Sequence, residues 1–230
     1  MPYLLFFAVL LTGYFYLVFT QTDIKQSGLA VINNGIQPFR FVNQDSAFVT
    51  EKDLEGKVVV AEYFFTTCRG ICPKMNANMR RVFDAYRGDT SLLIVSHTCM
   101  PETDSVPLLK AYQQKMLYGK LMRLDDGTHR VEYDSNSTVQ PLANPNWIFL
   151  TGDKAKLYDM ARTSYMIDFN KTDTAKRTID EQFIHTQFFA LLDKQSRVRA
   201  IYDGLIEEEV QKLIKDIEKL KAETYQTRSL

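Results

Sequence analysis

A strand that runs into a pair of cysteines and out into a helix constrains this chain more than any other feature. Val58-Val59-Val60-Ala61-Glu62-Tyr63 is a run of strand formers, and Phe64-Phe65-Thr66-Thr67-Cys68-Arg69-Gly70-Ile71-Cys72-Pro73-Lys74-Met75-Asn76 follows it directly. Beyond it, Met75, Met79, Val82, Phe83 and Tyr86 recur at helical steps and share one face. Pro73 suits the first turn, where its missing N–H removes no helix bond. Cys68 and Cys72 therefore sit where a buried strand ends and a helix begins. The partial positive charge of a helix N-terminus favours thiolate over thiol, and thiolate is both the nucleophile and the metal ligand.

A disulfide between them would close so short a loop that the chain-entropy model gives only ~2 kcal/mol. The pair thus reads as redox or metal chemistry and not as a structural staple. Two intervening residues would mark a thioredoxin-type redox pair. Here three intervene, Arg69, Gly70 and Ile71, so both sulfurs can face one soft metal ion, while a disulfide stays open to them. Cys99 is the third and last cysteine, which excludes a disulfide-dense scaffold. A formal net charge of +0 gives no electrostatic case for nucleic acid or an anionic surface.

The N-terminus reads as a membrane segment. Residues 2–19 carry no charged side chain, close to the length of about eighteen residues or more needed to span a bilayer. Aromatics near both ends suit the interfaces. A cleaved signal peptide is the alternative, but no basic leader and no small-x-small site precede Gln21, so an uncleaved anchor is expected. No cysteine follows the apolar run, which disfavours a bacterial lipoprotein. Residues 21–37 are polar and read as a tether.

Phe39 to Asp45 alternates like a first strand, with a second before Leu54. After the cysteine loop and its helix, Ser91-Leu92-Leu93-Ile94-Val95-Ser96 is the next buried strand, ending in the polar run His97 to Glu102. A helix is expected over 106–118, a hairpin tip at Asp125-Asp126-Gly127, a strand over 147–150 and a helix over 156–165. Residues 166–183 read as a surface loop, and 186–192 with 198–202 as a hairpin. The last helix places Ile206, Val210, Leu213, Ile214, Ile217 and Leu220 on one face. This order predicts an α/β sandwich of thioredoxin type, with sites collecting at the carboxyl ends of its parallel strands.

At this point the residues carry a resemblance. Phe65-Thr66-Thr67-Cys68-Arg69-Gly70-Ile71-Cys72-Pro73 resembles the signature of the SenC/Sco copper-chaperone family. Further matches run in order: Phe41 to Asp45, Pro101-Glu102 with Asp104, Trp147 to Gly152, His185 before Phe188 to Asp193, and Arg199 to Gly204. The resemblance implies a membrane-tethered, extracytoplasmic (periplasmic) thioredoxin-like protein that binds copper, as Cu(I) or Cu(II). Its expected role is to help mature the dinuclear copper centre of cytochrome c oxidase subunit II, with a thiol reductant and an upstream copper donor as further partners. Carried over residue by residue, the metal ligands are Cys68, Cys72 and His185, with Cys68 and Cys72 also forming the redox pair. Two thiolates and an imidazole are a soft set that suits copper. The chain then divides into an anchor (1–20), a tether (21–37), a thioredoxin-like copper-binding domain (38–222) and a tail (223–230).

One departure is Met100, where the family usually has Asp before Pro-Glu. With His97 and Cys99 it offers metal-capable side chains near the site, although successive strand residues point to opposite faces. His129 reads as a solvated loop residue. Two other functions fit the same fold. One is an enzyme, a thiol-disulfide oxidoreductase or a peroxidase using Thr66, Thr67 and Arg69 about one cysteine; the other is a copper or redox sensor, for which no output module is encoded.

Overall fold

The computed structural model describes residues 7, 9–14, 28–134, 142–168 and 186–224. The first two strands, β1 (Arg40–Asn43) and β2 (Phe48–Thr50), form a hairpin that a short 3-10 turn (Glu51–Asp53) leaves. Then come β3 (Val58–Phe64), α1 (Cys72–Ala85), β4 (Leu92–Thr98) and α2 (Val106–Tyr118). A small hairpin, β5 (Lys120–Arg123) with β6 (His129–Glu132), turns at Asp125-Asp126-Gly127 and stands apart from the main sheet. The chain continues with β7 (Trp147–Thr151), α3 (Lys154–Asp159), a π-helical turn (Met160–Ser164), β8 (Phe188–Leu192), β9 (Val198–Asp203) and α4 (Glu207–Ala222).

The main sheet has the order β2-β1-β7-β4-β3-β8-β9. Its centre is parallel: β3 pairs with β4 from Val58↔Leu92 to Phe64↔Thr98, and β4 pairs with β7. The flanks are antiparallel, β1 on β7 and β8 on β3. All residues of β3 and β4 are buried, which is why these central strands read as continuous runs and not as alternations. The strand period still sorts their side chains between two cores. Val58, Val60 and Phe64 face α1, α2 and α4, against Met75, Met79, Val82, Phe83, Leu109, Val210 and Leu213. Val59, Ala61 and Tyr63 face the other way, against Phe41, Leu157, Tyr158, Tyr165 and Ile167.

The face expected of α1 is the face it buries: Met75, Met79, Val82, Phe83 and Tyr86 all lie in the core. In α4 the stripe is narrower than expected. Val210, Leu213, Ile217 and Leu220 are buried, whereas Ile206 precedes the first turn and is exposed. Upstream, residues of the expected tether make contacts: Ile32 N–H donates to the Val198 carbonyl at 2.7 Å, and Arg199 donates to the Leu29 carbonyl at 2.6 Å. Among the described residues no helix is long and apolar enough to cross a membrane. Most of the expected anchor, residues 1–6, 8 and 15–20, lies outside the described residues.

Candidate metal and redox centre

The parallel pairing of β3 and β4 brings their carboxyl ends together, with Phe64 beside Thr98. Cys99 N–H donates to the Phe64 carbonyl at 2.9 Å and continues the ladder past the named strands. The cysteine loop and the segment after β4 are therefore neighbours. Asp104 ties them. This fully buried carboxylate accepts from Thr66 N–H at 3.2 Å, from the Thr66 hydroxyl at 2.5 Å and from the Thr98 hydroxyl. The Thr98 hydroxyl also accepts Met100 N–H at 2.9 Å. Asp104→Ala should strand these donors and lower stability by about 1–3 kcal/mol in urea unfolding, with a smaller loss for Asp104→Asn, whose amide oxygen still accepts.

Inside that frame the three cysteines line one cavity of about 410 Å³, together with Tyr63, Phe65, Ile71, Thr186 and Gln187. All three are free thiols. Cys68 is half-buried on the loop, and its N–H donates to the Phe65 carbonyl at 3.2 Å. Cys72 opens α1, with Pro73 in the first turn, and is buried. Burial pushes the Cys72 thiol well above its ordinary value; the Cys68 sulfur adds to the rise through a hydrogen bond and charge, and a backbone contact at Phe65 offsets it only in part. The expected stabilisation of thiolate by the helix terminus is thus outweighed at Cys72, because desolvation penalises the charged form more. The two sulfurs are unequal: Cys68 is the accessible one and Cys72 the sheltered one.

Cys99 is also a protonated thiol. Burial pushes it up to about 12, and its S–H donates to the Phe64 carbonyl at 3.2 Å. Among the described residues no three His, Cys, Asp or Glu side chains are grouped so as to hold a metal ion. Cys99 therefore lines the cavity without completing a site with Cys68 and Cys72. His185, the expected third ligand, lies outside the described residues. The residues that follow it, Thr186 and Gln187, line the cysteine cavity, and the Thr186 hydroxyl donates to the Ile167 carbonyl at 2.7 Å.

A model of the SCO1/SenC family matches residues 31–121 and 132–222. The chain belongs to this family. The SCO1 protein homolog of Bacillus subtilis is 27% identical over 188 residues, covering 81% of this chain and 82% of the relative. The solved structure of BsSco, a member of the Sco family of cytochrome c oxidase assembly proteins in which a disulfide switch was identified, is similar with a TM-score of 0.60 at 24% identity, covering 84% of this chain and 97% of that one. Arabidopsis thaliana ScoI with copper bound gives a TM-score of 0.55 at 21% identity, covering 80% and 98%. The fold is the thioredoxin-like α/β arrangement of these Sco structures.

Within this Sco fold the remaining metal-capable residues are set apart. His97 is fully buried on the opposite face of β4 from Thr98, stacked on Tyr63 at 5.1 Å and hydrogen-bonded through Nε2 to the Tyr165 hydroxyl at 2.9 Å. Burial lowers it to about 3, so it is a neutral packing residue. Met100 is half-buried and does not line the cysteine cavity. His129 is not in a loop but opens β6, opposite Arg123, and is half-buried. Thr66 gives its hydroxyl to Asp104 and not to a cysteine, which argues against a peroxidase arrangement.

Sequence reasoning gave no role to two buried acids, Asp104, which clasps the loop, and Glu62 on β3. The signal for Glu62 was present: a glutamate inside the run Val58 to Phe64, in a strand too apolar to have a wet face.

Proposed function

We propose that this protein is a copper-binding metallochaperone of the SCO1/SenC family that helps assemble the dinuclear copper centre of cytochrome c oxidase subunit II. Cys68, Cys72 and His185 are its ligands, and Cys68 and Cys72 also cycle between dithiol and disulfide. The observation that carries the reading is the convergence on one cavity of Cys68, Cys72 and the residues next to His185. The donors fit the cargo, since two sulfurs and an imidazole are soft enough to hold Cu(I). Relatives with copper bound and with a role in oxidase assembly support it, as does membership of the family. Residues 1–20 anchor the chain in the membrane, residues 21–37 lead from it, and residues 38–222 form the working domain on the extracytoplasmic side, followed by a tail.

The second reading, a thiol-disulfide oxidoreductase, is favoured by the unequal sulfurs: a half-buried, more accessible Cys68 to attack a partner's disulfide and a sheltered Cys72 to resolve the mixed disulfide. His185→Ala separates the two. For a chaperone the variant should lose about tenfold to a thousandfold in copper affinity, about 1.4 kcal/mol per tenfold, and fail to support oxidase assembly, while Cys68 and Cys72 still oxidise and reduce. For a reductase it should keep full function. Copper titration and oxidase activity in cells carrying His185→Ala decide between them; wild-type values in both would remove His185 from the site.

A further inference from the structure

Cys68 lines two cavities. One is the cavity of about 410 Å³ that it shares with Cys72 and Cys99. The other, of about 560 Å³, is walled by Cys68 and Thr66 of the loop, Tyr112 and Lys115 of α2, and Arg130 and Glu132 of β6. Neither Cys72 nor Cys99 lines this second space. The two cavities therefore meet at Cys68, and the sheltered sulfur belongs to one of them only. The volume of the second lies within the range of small-molecule sites, roughly 300–1,000 Å³, with room for a small organic molecule and too little for a folded domain.

The charge in the second cavity is unbalanced. Arg130 and Glu132 pair at 3.0 Å, both more than half exposed, and offset each other. Lys115 stands in the last turn of α2, where a cation suits the helix dipole, and its Nζ lies 5.8 Å from the centre of the Tyr112 ring. No carboxylate pairs with it among the described residues. Met116 and Val131 add apolar wall beside it. A cation without a counter-charge, an apolar lining and the accessible sulfur thus share one space. Together they match a short aliphatic thiol that carries carboxylate groups: the anion meets Lys115, the methylenes meet the apolar wall, and the sulfur meets Cys68.

We propose that the second cavity is the entry site for a small carboxylate-bearing thiol, which reduces the Cys68–Cys72 disulfide by attacking Cys68. The inference rests on the reading of Cys68 and Cys72 as a redox pair. Thiol–disulfide exchange is a displacement at sulfur, in which the entering sulfur approaches from the side opposite the leaving one. Cys72 lies in the first cavity, so the second gives the approach to Cys68 from the other side. The incoming thiolate bonds to the Cys68 Sγ as the Cys68–Cys72 bond breaks. Cys72 leaves with the electron pair and takes a proton from solvent. A second thiolate then attacks the outer sulfur of the mixed disulfide, and Cys68 leaves and is protonated in turn. Two small thiols become one symmetric disulfide, and the two electrons and two protons they give up restore the dithiol that the proposed metal site requires.

The test uses full-length protein oxidised with diamide and then mixed, at fixed pH, with mercaptosuccinate, 2-mercaptoethanol or cysteamine, which are respectively anionic, neutral and cationic. Acid quenching and peptide mass mapping follow the mixed disulfide and show which cysteine carries it. Rates are compared as the ratio of wild type to variant for each thiol, so the reactivities of the thiols themselves cancel. Lys115→Glu should slow mercaptosuccinate by about tenfold, leave 2-mercaptoethanol within about twofold and speed cysteamine. Lys115→Gln should give a smaller loss with mercaptosuccinate. In the wild type the mercaptosuccinate rate should level off with concentration, as for a bound reactant, and its adduct should lie on Cys68. The discrimination by charge should shrink in about 1 M salt. Lys74→Glu reverses a charge on α1 outside the cavity and should leave all three ratios near one. Equal ratios for the three thiols in Lys115→Glu, an equal effect of Lys74→Glu, or a first adduct on Cys72 would overturn the proposal. If diamide gives no Cys68–Cys72 disulfide, the redox reading fails and the proposal with it; a disulfide reduced without regard to Lys115 removes the proposal alone.

Discussion

Cys68→Ser and Cys72→Ser are each expected to weaken Cu(I) binding by on the order of a thousandfold or more, about 4 kcal/mol. A serine hydroxyl stays protonated at any working pH and is a hard donor, so each substitution removes a soft anionic ligand and puts nothing in its place. The two variants should differ in every other respect. Cys68 is half-buried on a loop, and its replacement should leave the urea midpoint close to that of the wild type. Cys72 is buried against Phe65 and the other sulfur, so a hydroxyl there meets a site shaped for a thiol and should also lower stability. Loading itself should be pH-dependent. Because Cys72 is held as a thiol by burial, the metal must displace a proton, and affinity should fall on acidification. Anaerobic competition against a chromophoric Cu(I) chelator measures all three effects. Wild-type affinity in either variant would strike that cysteine from the ligand set.

What could be read from the sequence divides along physical lines. Elements whose residues face one environment announced themselves. The expected helix over 106–118 is α2, Val106–Tyr118, because Leu109, Met116 and Leu117 repeat on its buried side. The tip at Asp125-Asp126-Gly127 is a hairpin turn because Gly127 takes a positive φ of 80°, which its missing side chain allows. The third helix was blurred. Its expected span, 156–165, covers a short α-helix and a π-helical turn, and the change in hydrogen-bond register between them leaves no mark in apolar spacing. At the site, the strand-to-helix placement of Cys68 and Cys72 was legible because local sequence alone decides it. Their unequal burial was not, since it depends on Phe65 and on residues 186–187 arriving from more than a hundred positions away. Nor could the polar run after β4 be sorted by eye. Strand alternation sends His97 and Cys99 to one face and Thr98 to the other, but both faces are buried, and only the partners that arrive from elsewhere, Tyr165 for His97 and Asp104 for Thr98, show what each side chain does there.

The stability of the copper-free, reduced protein should peak on the acid side of neutrality, between about pH 4.5 and 6.5, through two buried groups with opposite slopes. His97 ordinarily titrates at 6.5 and is lowered to about 3 by burial. The unfolded chain therefore binds the extra proton first, and His97 withdraws stability as pH falls from 6.5 towards 3, at about 1.4 kcal/mol per unit. Glu62 ordinarily titrates at 4.5 and is raised to about 8. Here the folded chain holds the extra proton. Its contribution is complete below 4.5 and is lost, at a similar rate, as pH rises towards 8. Between 4.5 and 6.5 the two slopes cancel and the curve is flat. Above that window Glu62 acts alone, and about 2 kcal/mol should disappear by pH 8. Below it His97 acts, joined by Asp89 and Glu207, whose carboxyls ion pairs and hydrogen bonds hold down at about 2. Urea unfolding from pH 4 to 8.5 measures the curve, and Glu62→Gln tests the assignment. Without the titrating acid the decline above 6.5 should vanish, and the slope of His97 should emerge below it, so that the maximum becomes a plateau from 6.5 upward. A wild-type maximum at pH 8 or above would mean that Glu62 is ionised in the folded core, and the neutral-acid assignment would fall with it.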